Sequence, residues 1–164
     1  MYSRVTQIDS LRVGTERDHN APYPPIQHKE LMRNAIALAY FYNESRLLYS
    51  DIQRGAIHSV RFDGTHHRVL IDQVGAVEGM VVDGTTGTLY WTCASAAAVR
   101  AAALLPAAGG GGGDDEYRPQ PYTVLRLEPH DRPRGIDYDP CEKRVYWTNW
   151  RASSPCIERA ALGG

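Results

Sequence analysis

Leu89-Tyr90-Trp91-Thr92-Cys93 and Val145-Tyr146-Trp147-Thr148-Asn149 are two near copies of one motif, and they decide the fold. Looser copies of its aromatic and hydroxyl residues stand earlier in the chain, at Tyr2-Ser3 and Tyr49-Ser50-Asp51. Successive aromatic residues of these copies are 47, 42 and 56 residues apart. A propeller blade built from four strands repeats about every 40 to 50 residues. The spacing therefore predicts a row of similar β units.

Further strands recur around the motif. Apolar strands precede the aromatic residue by 13 or 14 residues, at 35–40, 78–83 and 134–139. Strands that begin with isoleucine lie at 8–13, 57–62 and 157–162. Closing strands are predicted at 67–72 and 122–127. Short apolar or alternating runs bounded by turn residues indicate strands. The predicted fold class is all-β, a partial β-propeller of four-stranded antiparallel blades in an incomplete ring.

The repeats divide the chain into four predicted segments. These are 1–33, the end of a preceding blade and a connection; 34–74, a blade; 75–132, a second blade; and 133–164, a partial blade. The second blade carries a low-complexity insert at 94–115, rich in alanine and glycine, which we expect to be a loop. Either 99–104 supplies this blade's third strand or the blade is degenerate.

Composition excludes several classes of protein. Lys and Arg number 18 against 19 Asp and Glu in 164 residues, so the net charge of -1 offers no basic surface for nucleic acid. The longest apolar stretch, 94–108, is interrupted by Arg100 and Pro106 and is too short for a membrane span. The first residues also lack the apolar core of a secretory signal. Nucleic acid is therefore not an expected partner.

The motif resembles the Tyr-Trp-Thr-Asp signature of low-density lipoprotein receptor class B repeats. The turn Phe62-Asp63-Gly64-Thr65 resembles the Leu-Asp-Gly-Ser turn of that family, and 75–83 resembles the strand that opens each of its blades. The sequences 34–38 and 147–162 are most similar to the giant endocytic receptor-related proteins of the family. The resemblance covers nearly the whole chain outside the insert.

The resemblance implies the extracellular part of a single-pass cell-surface receptor that cycles through endosomes. Its ligands would be extracellular proteins or lipoproteins. Neighbouring EGF-like and cysteine-rich modules would capture most ligand and hold calcium, so no cofactor is expected in this segment. The alternative within the fold is a signalling co-receptor or a basement-membrane adhesion protein. An intracellular propeller of the WD-repeat type is more distant, because the chain lacks that repeat's Gly-His and Trp-Asp pairs.

The chain departs from the signature at its final aspartate. This residue is retained as Asp51 but is replaced by Cys93 and Asn149. An aspartate at a strand end can accept backbone hydrogen bonds, an ability that asparagine keeps in part and cysteine hardly keeps. We therefore expect the middle blade to be the least rigid.

The aromatic residues divide into core and surface candidates. Neighbouring side chains of a strand point to opposite faces, so at least one member of Tyr90-Trp91 and of Tyr146-Trp147 should pack against the next blade. Trp150 lies beyond the motif, in a connection, where an exposed aromatic residue often contacts a ligand. We regard Trp150 as a candidate ligand contact.

Four histidines are candidates for sensing endosomal pH: His58, His66, His67 and His130. Histidine titrates near that pH, and the resemblance implies a role of propeller histidines in ligand release. His66 and His67 adjoin the turn at Asp63 and are expected to be exposed. The alternative is that all four are surface histidines without a role.

Covalent features complete the sequence predictions. Asn43-Glu44-Ser45 meets the rule for N-glycosylation and falls in the turn between a blade's first two strands. Cys141 and Cys156 should lie at opposite ends of a strand, too far apart for a disulfide.

The sequence contains none of the catalytic motifs that we considered. Neither a Gly-x-Ser-x-Gly elbow nor a His-Glu-x-x-His sequence is present, and no metal-ligand spacing stands out. We expect a protein that is not an enzyme.

Overall fold

The computed structural model of the protein describes residues 2–4, 7–9, 25–28, 30–106 and 117–162. These residues form a partial β-propeller of antiparallel sheets. The N-terminal sheet consists of β1 (Tyr2–Arg4), β2 (Gln7–Asp9) and β3 (Ile26–Gln27). Blade 1 consists of β4 (Ala35–Phe41), β5 (Arg46–Asp51), β6 (Ala56–Arg61) and β7 (Arg68–Ile71), with a 3₁₀ turn at Tyr42–Glu44. Sequential strands are neighbours in each sheet.

The remaining strands repeat this arrangement. Blade 2 consists of β8 (Met80–Asp83), β9 (Thr88–Cys93), β10 (Ala98–Ala103) and β11 (Tyr122–Arg126). Blade 3 consists of β12 (Pro133–Asp139), β13 (Arg144–Asn149) and β14 (Cys156–Ala161). Each sheet lies within one of the four predicted segments. The four-stranded antiparallel blades confirm the predicted fold class.

The expected loop over 94–115 is wrong for its first part. Residues Ala98–Ala103 form β10, which pairs with both β9 and β11. Three of its residues are fully buried: Val99, Ala101 and Ala102. Small side chains such as alanine allow a strand to pack closely between its neighbours. The alternative that 99–104 supplies the third strand is therefore the correct one. Residues 107–115 lie outside the described part of the chain.

The core is divided between the faces of blade 2. Trp91 belongs to a cluster shared with blade 1 and the N-terminal sheet, whereas Tyr90 belongs to a cluster shared with blade 3. Neighbouring residues of one strand thus serve two interfaces, as strand alternation requires. Among the described residues no helix is long or apolar enough to span a membrane.

Candidate functional site

In blades 1 and 2, a hydroxyl residue near the end of the second strand ties the blade to the next segment. The Ser50 hydroxyl accepts from Ala37 N–H at 3.0 Å and donates to the Val77 carbonyl of the next segment at 2.7 Å. Thr92 donates in the same way to the carbonyl of Arg134 in blade 3. The motif's small hydroxyl is therefore a connector that fixes how neighbouring blades sit together.

The residue after this hydroxyl fixes the connection that enters the blade. Asp51 accepts four backbone N–H groups, from Arg33, Asn34, Gln53 and Arg54. Burial by itself raises the pKa of Asp51, but the backbone hydrogen bonds outweigh it, and the pKa is lowered. The carboxylate is thus held charged at the strand end.

The two replacements at this position behave as their chemistry predicts. The Asn149 oxygen accepts one backbone N–H, from Arg132 at 2.9 Å. The Cys93 thiol lies 3.7 Å from the Val74 carbonyl and 3.4 Å from the Ser95 hydroxyl. In the described part of the chain, Cys93 takes over none of the backbone N–H contacts that Asp51 makes.

An ion-pair network compensates for the missing aspartate in blade 3. Arg151 contacts Asp131 at 2.8 Å and Glu158 at 2.7 Å, and Asn149 donates to Glu158 at 3.2 Å. Burial raises the pKa of Asp131, but hydrogen bonds and the charge of Arg151 prevail, so that the pKa is lowered. The connection that carries Trp150 is therefore anchored through Arg151 to Asp131 and to Glu158.

Trp150 is the most prominent aromatic residue at this end of the blades. Its side chain is 60% exposed, and the Arg134 guanidinium lies 4.1 Å from its ring centroid. Arg134 also forms an ion pair with Glu78 of the preceding segment, and the backbone N–H of Trp150 donates to the Arg132 carbonyl at 3.0 Å. The indole is thus exposed but oriented. We name Trp150, Arg134 and Glu78 the Trp150 surface.

Two of the candidate histidines are not surface residues. His58 is fully buried and stacks on Tyr49 with ring centroids 4.7 Å apart, and His67 lies 2.7 Å from the Tyr49 hydroxyl. His28 packs edge-on against His67 at 4.8 Å. Neither ring nitrogen of His58 has a hydrogen-bond partner among the described residues. The expectation that His67 is exposed is wrong, because it closes over Tyr49.

Burial changes the titration of these two histidines. Desolvation lowers the pKa of His58 to about 4 and that of His67 to about 4. Both values lie below the pH at which an endosomal sensor must change charge. His66 is exposed, as the sequence predicts, and His130 is exposed as well. His66 lies in the β6–β7 connection and His130 in the β11–β12 connection, which also leads to Arg132.

An aromatic cluster at the opposite end of the blades has no counterpart in the sequence predictions. The Tyr40 and Tyr42 rings are stacked 5.5 Å apart, and Phe62 packs against both. Tyr42 is 72% exposed. Tyr40 lies in β4, Tyr42 in the 3₁₀ turn that follows it and Phe62 directly after β6, so the repeated motif includes none of the three. Neighbouring Asn43 lies in the predicted turn, and its side-chain nitrogen donates to the Gly84 carbonyl at 2.8 Å.

The cysteines and carboxylates form no reactive cluster in the described ranges. Cys141 and Cys156 lie at opposite ends of β13, because Asn149 pairs with Cys156 and Arg144 with Ala161. Cys93 is a buried thiol. A group of three or more histidine, cysteine and acidic side chains that could hold a metal ion is absent from these ranges.

Comparisons with known proteins support the fold. No model of a known protein family matches the chain. Protein cueball of Drosophila virilis is 26% identical over 137 residues, 78% of this chain and 20% of that protein. In a nidogen/laminin complex, a chain with a TM-score of 0.71 is 22% identical and is matched over 96% of this chain and 56% of its own length.

Enzymes share the fold as well. Virginiamycin B lyase of Staphylococcus aureus has a TM-score of 0.65 and 11% identity, over 97% of this chain and 50% of the lyase. The chain therefore spans about one fifth of the Drosophila virilis protein and about half of these two solved chains. At such low identities the likeness to the solved structures shows the propeller fold alone.

Proposed function

We propose that the chain is part of an extracellular propeller that binds a protein ligand through the Trp150 surface. The observation that carries this proposal is the exposed Trp150 ring held against Arg134, which is itself paired with Glu78. Tryptophan and arginine dominate the energetics of protein interfaces. A side chain that is already oriented loses less conformational entropy on binding.

The finer proposal is an endocytic receptor related to the low-density lipoprotein receptor. It rests on the repeated Tyr-Trp-Thr motif and on the resemblance of 147–162 to that group. In such a receptor, EGF-like and cysteine-rich modules would flank the propeller and hold calcium, and the protein would cycle between cell surface and endosomes. Asn43 would carry a glycan, since its turn is exposed.

A basement-membrane adhesion protein is the second candidate. The likeness to the propeller in a nidogen/laminin complex favours it, because the match extends over 96% of this chain. Both candidates require a protein-binding surface and neither requires catalysis. They differ in the ligand and in whether binding is released by acid.

Binding to two probes tests the proposal and separates the candidates. Laminin and low-density lipoprotein would be immobilised in turn, and the chain passed over each at pH 7.4 by surface plasmon resonance. We expect Trp150→Ala to weaken binding to the recognised probe by about tenfold or more. Tyr42→Ala is the matched control, since Tyr42 is even more exposed than Trp150 but lies at the other strand end.

Two results would contradict this proposal. One is binding that Trp150→Ala leaves unchanged, and the other is the absence of binding to either probe. Acid-dependent release would be measured at pH 5.5 with His130→Gln and His66→Gln. Because His130 lies in the connection whose Arg132 carbonyl accepts the backbone N–H of Trp150, we expect only its substitution to slow release.

A further inference from the structure

A segment of blade 2 reaches the outer edge of blade 1. The connection between the third and fourth strands runs over 62–67 in blade 1 but over 104–121 in blade 2. The end of the longer connection, residues 117–121, leads into β11 without regular secondary structure. We name residues 117–121 the clasp. Because the clasp contacts β7, the longer connection does more than join two strands of its own blade.

Two arginines exchange hydrogen bonds between the clasp and β7. Arg68 of β7 donates to the Tyr117 carbonyl at 3.2 Å, and Arg118 of the clasp donates to the Val69 carbonyl at 3.3 Å. A neighbouring strand would satisfy such an edge through its own backbone N–H and carbonyl groups. Here guanidinium groups supply the donors in both directions, so the clasp contacts the edge without extending the sheet.

Packing holds the clasp in position. Pro119 is buried and Tyr117 is half-buried. The Tyr117 hydroxyl donates to the Ala103 carbonyl at the end of β10, at 3.3 Å. Tyr117 also lines a cavity between blades 1 and 2, together with Leu70 of β7 and Leu104. The clasp is therefore anchored to its own blade while it contacts the preceding one.

The place of β7 in its sheet explains why a cover is needed there. β7 is the last strand of a complete four-stranded blade, and no other described strand pairs with its outer side. Val69, Leu70 and Ile71 make most of this strand aliphatic. An open aliphatic edge strand is a template for pairing with another chain, and proteins cover such edges with loops or interrupt them with proline.

The composition of the clasp suits an edge cover. Pro119 and Pro121 lack a backbone N–H and cannot donate to a further strand. Proline also fixes φ, which lowers the entropy that is lost when the segment is ordered. The clasp thus contacts β7 and offers few backbone donors of its own to another chain.

We propose that the clasp covers the outer edge of blade 1 and keeps β7 from pairing with a second copy of this chain. Arg118 makes the contact from the clasp to β7, while Tyr117 and Pro119 hold the clasp in place. This device shares no residue with the Trp150 surface and has no part in the proposed ligand binding.

Hydrogen exchange and light scattering test the proposal on the whole chain. Arg118→Ala should speed amide exchange within 68–71 about threefold or more, since one net hydrogen bond is lost. When the concentration of this variant is raised, its mass by light scattering should increase, and exchange within 68–71 should slow again. Arg118 is exposed, so its loss leaves the core intact. Arg118→Lys keeps a charged donor and should restore most of the protection.

Arg126→Ala is the matched control, because Arg126 is an exposed arginine of β11, the strand that follows the clasp. It should leave both measurements unchanged. The outer edge of β14 is the same in every variant, so differences between variants arise elsewhere. The proposal is overturned if Arg118→Ala changes neither measurement, if Arg126→Ala has the same effect, or if exchange speeds up without any increase in mass. Association that protects 156–161 in place of 68–71 would also overturn it.

Discussion

Blades 1 and 3 carry the same motif at the same strand position, yet their surroundings differ. Ile57 in β6 is completely buried, while its counterpart Ile157 is mostly exposed. The Ser50 hydroxyl reaches the next segment, whereas among the described residues the Thr148 hydroxyl only accepts from Gly135 N–H within its own blade. Each blade thus has equivalent residues at these positions, and their burial and hydrogen bonding depend on the neighbouring strands.

The strand ends of these blades differ in a second way. Asp51 binds four backbone N–H groups by itself, whereas Asn149 binds one and shares its task with an ion-pair network. One residue thus does in blade 1 what several do in blade 3. The free energy of unfolding should therefore depend more strongly on Asp51 than on Asn149.

Substitution at the strand end should give the largest effect. Asp51→Ala removes a buried carboxylate that accepts four backbone N–H groups, and each hydrogen bond to a charged group contributes about 1.5–3 kcal/mol. We expect the free energy of unfolding to fall by more than about 3 kcal/mol, against about 1–2 kcal/mol for Asn149→Ala. Urea titration followed by tryptophan fluorescence would measure both. Equal losses would show that the two strand ends are equivalent after all.

Acid should weaken blade 1 selectively. The pKa values of His58 and His67 are about 4 in the folded protein, below the ordinary value of 6.5. The unfolded chain therefore takes up protons that the folded chain does not, and stability falls as pH drops from 6.5 towards 4. After allowance for screening, each histidine contributes on the order of 2 kcal/mol to this loss.

Unfolding titrations between pH 7 and pH 4 would measure the acid effect. His58→Phe keeps the ring that stacks on Tyr49 and should flatten the pH profile. His130→Gln should leave the profile unchanged, because His130 is exposed. A profile that His58→Phe does not alter would rule out burial of this histidine as the cause.

The contact between blades 2 and 3 should respond to a single methyl group. A Cβ at Gly79 would lie 2.3 Å from the Arg134 carbonyl oxygen, whereas one at Gly84 would meet nothing within 4 Å. Gly79→Ala must push two backbones apart and should cost about 1–3 kcal/mol. The control Gly84→Ala should change the free energy of unfolding by less than about 0.5 kcal/mol. Similar values for both variants would mean that the blades are not closely docked.

The repeated motif made the fold predictable, whereas the parts of the chain outside the motif were predicted less well. The order of strands follows from recurring residues such as Trp91 and Trp147, whose spacing is a property of the sequence. By contrast, β10 was predicted only as one of two alternatives, because an alanine-rich strand has the composition of a loop. The burial of His58 depends on its packing against Tyr49 of the neighbouring strand and His67 of the next connection, which the strand pattern alone does not indicate. Trp150 was found because it lies outside the motif, but its contact with Arg134 is long-range.

The smallest predicted effect compares one turn position in two blades. Gly55 precedes β6 and has φ of 65°, and Ala97 precedes β10 with φ of 43°. A left-handed conformation costs a residue with a Cβ about 1 kcal/mol, which glycine avoids. We expect Ala97→Gly to raise the free energy of unfolding by about 0.5 kcal/mol. The relief of backbone strain is partly offset, because glycine also raises the conformational entropy of the unfolded chain. Gly55→Ala should lower it by about 1 kcal/mol, because its Cβ would meet only ordinary contacts at 3.6 Å or more. Thermal unfolding of both variants would measure the difference. If Ala97→Gly destabilised the protein, the packing of the Ala97 methyl would have to outweigh its backbone strain.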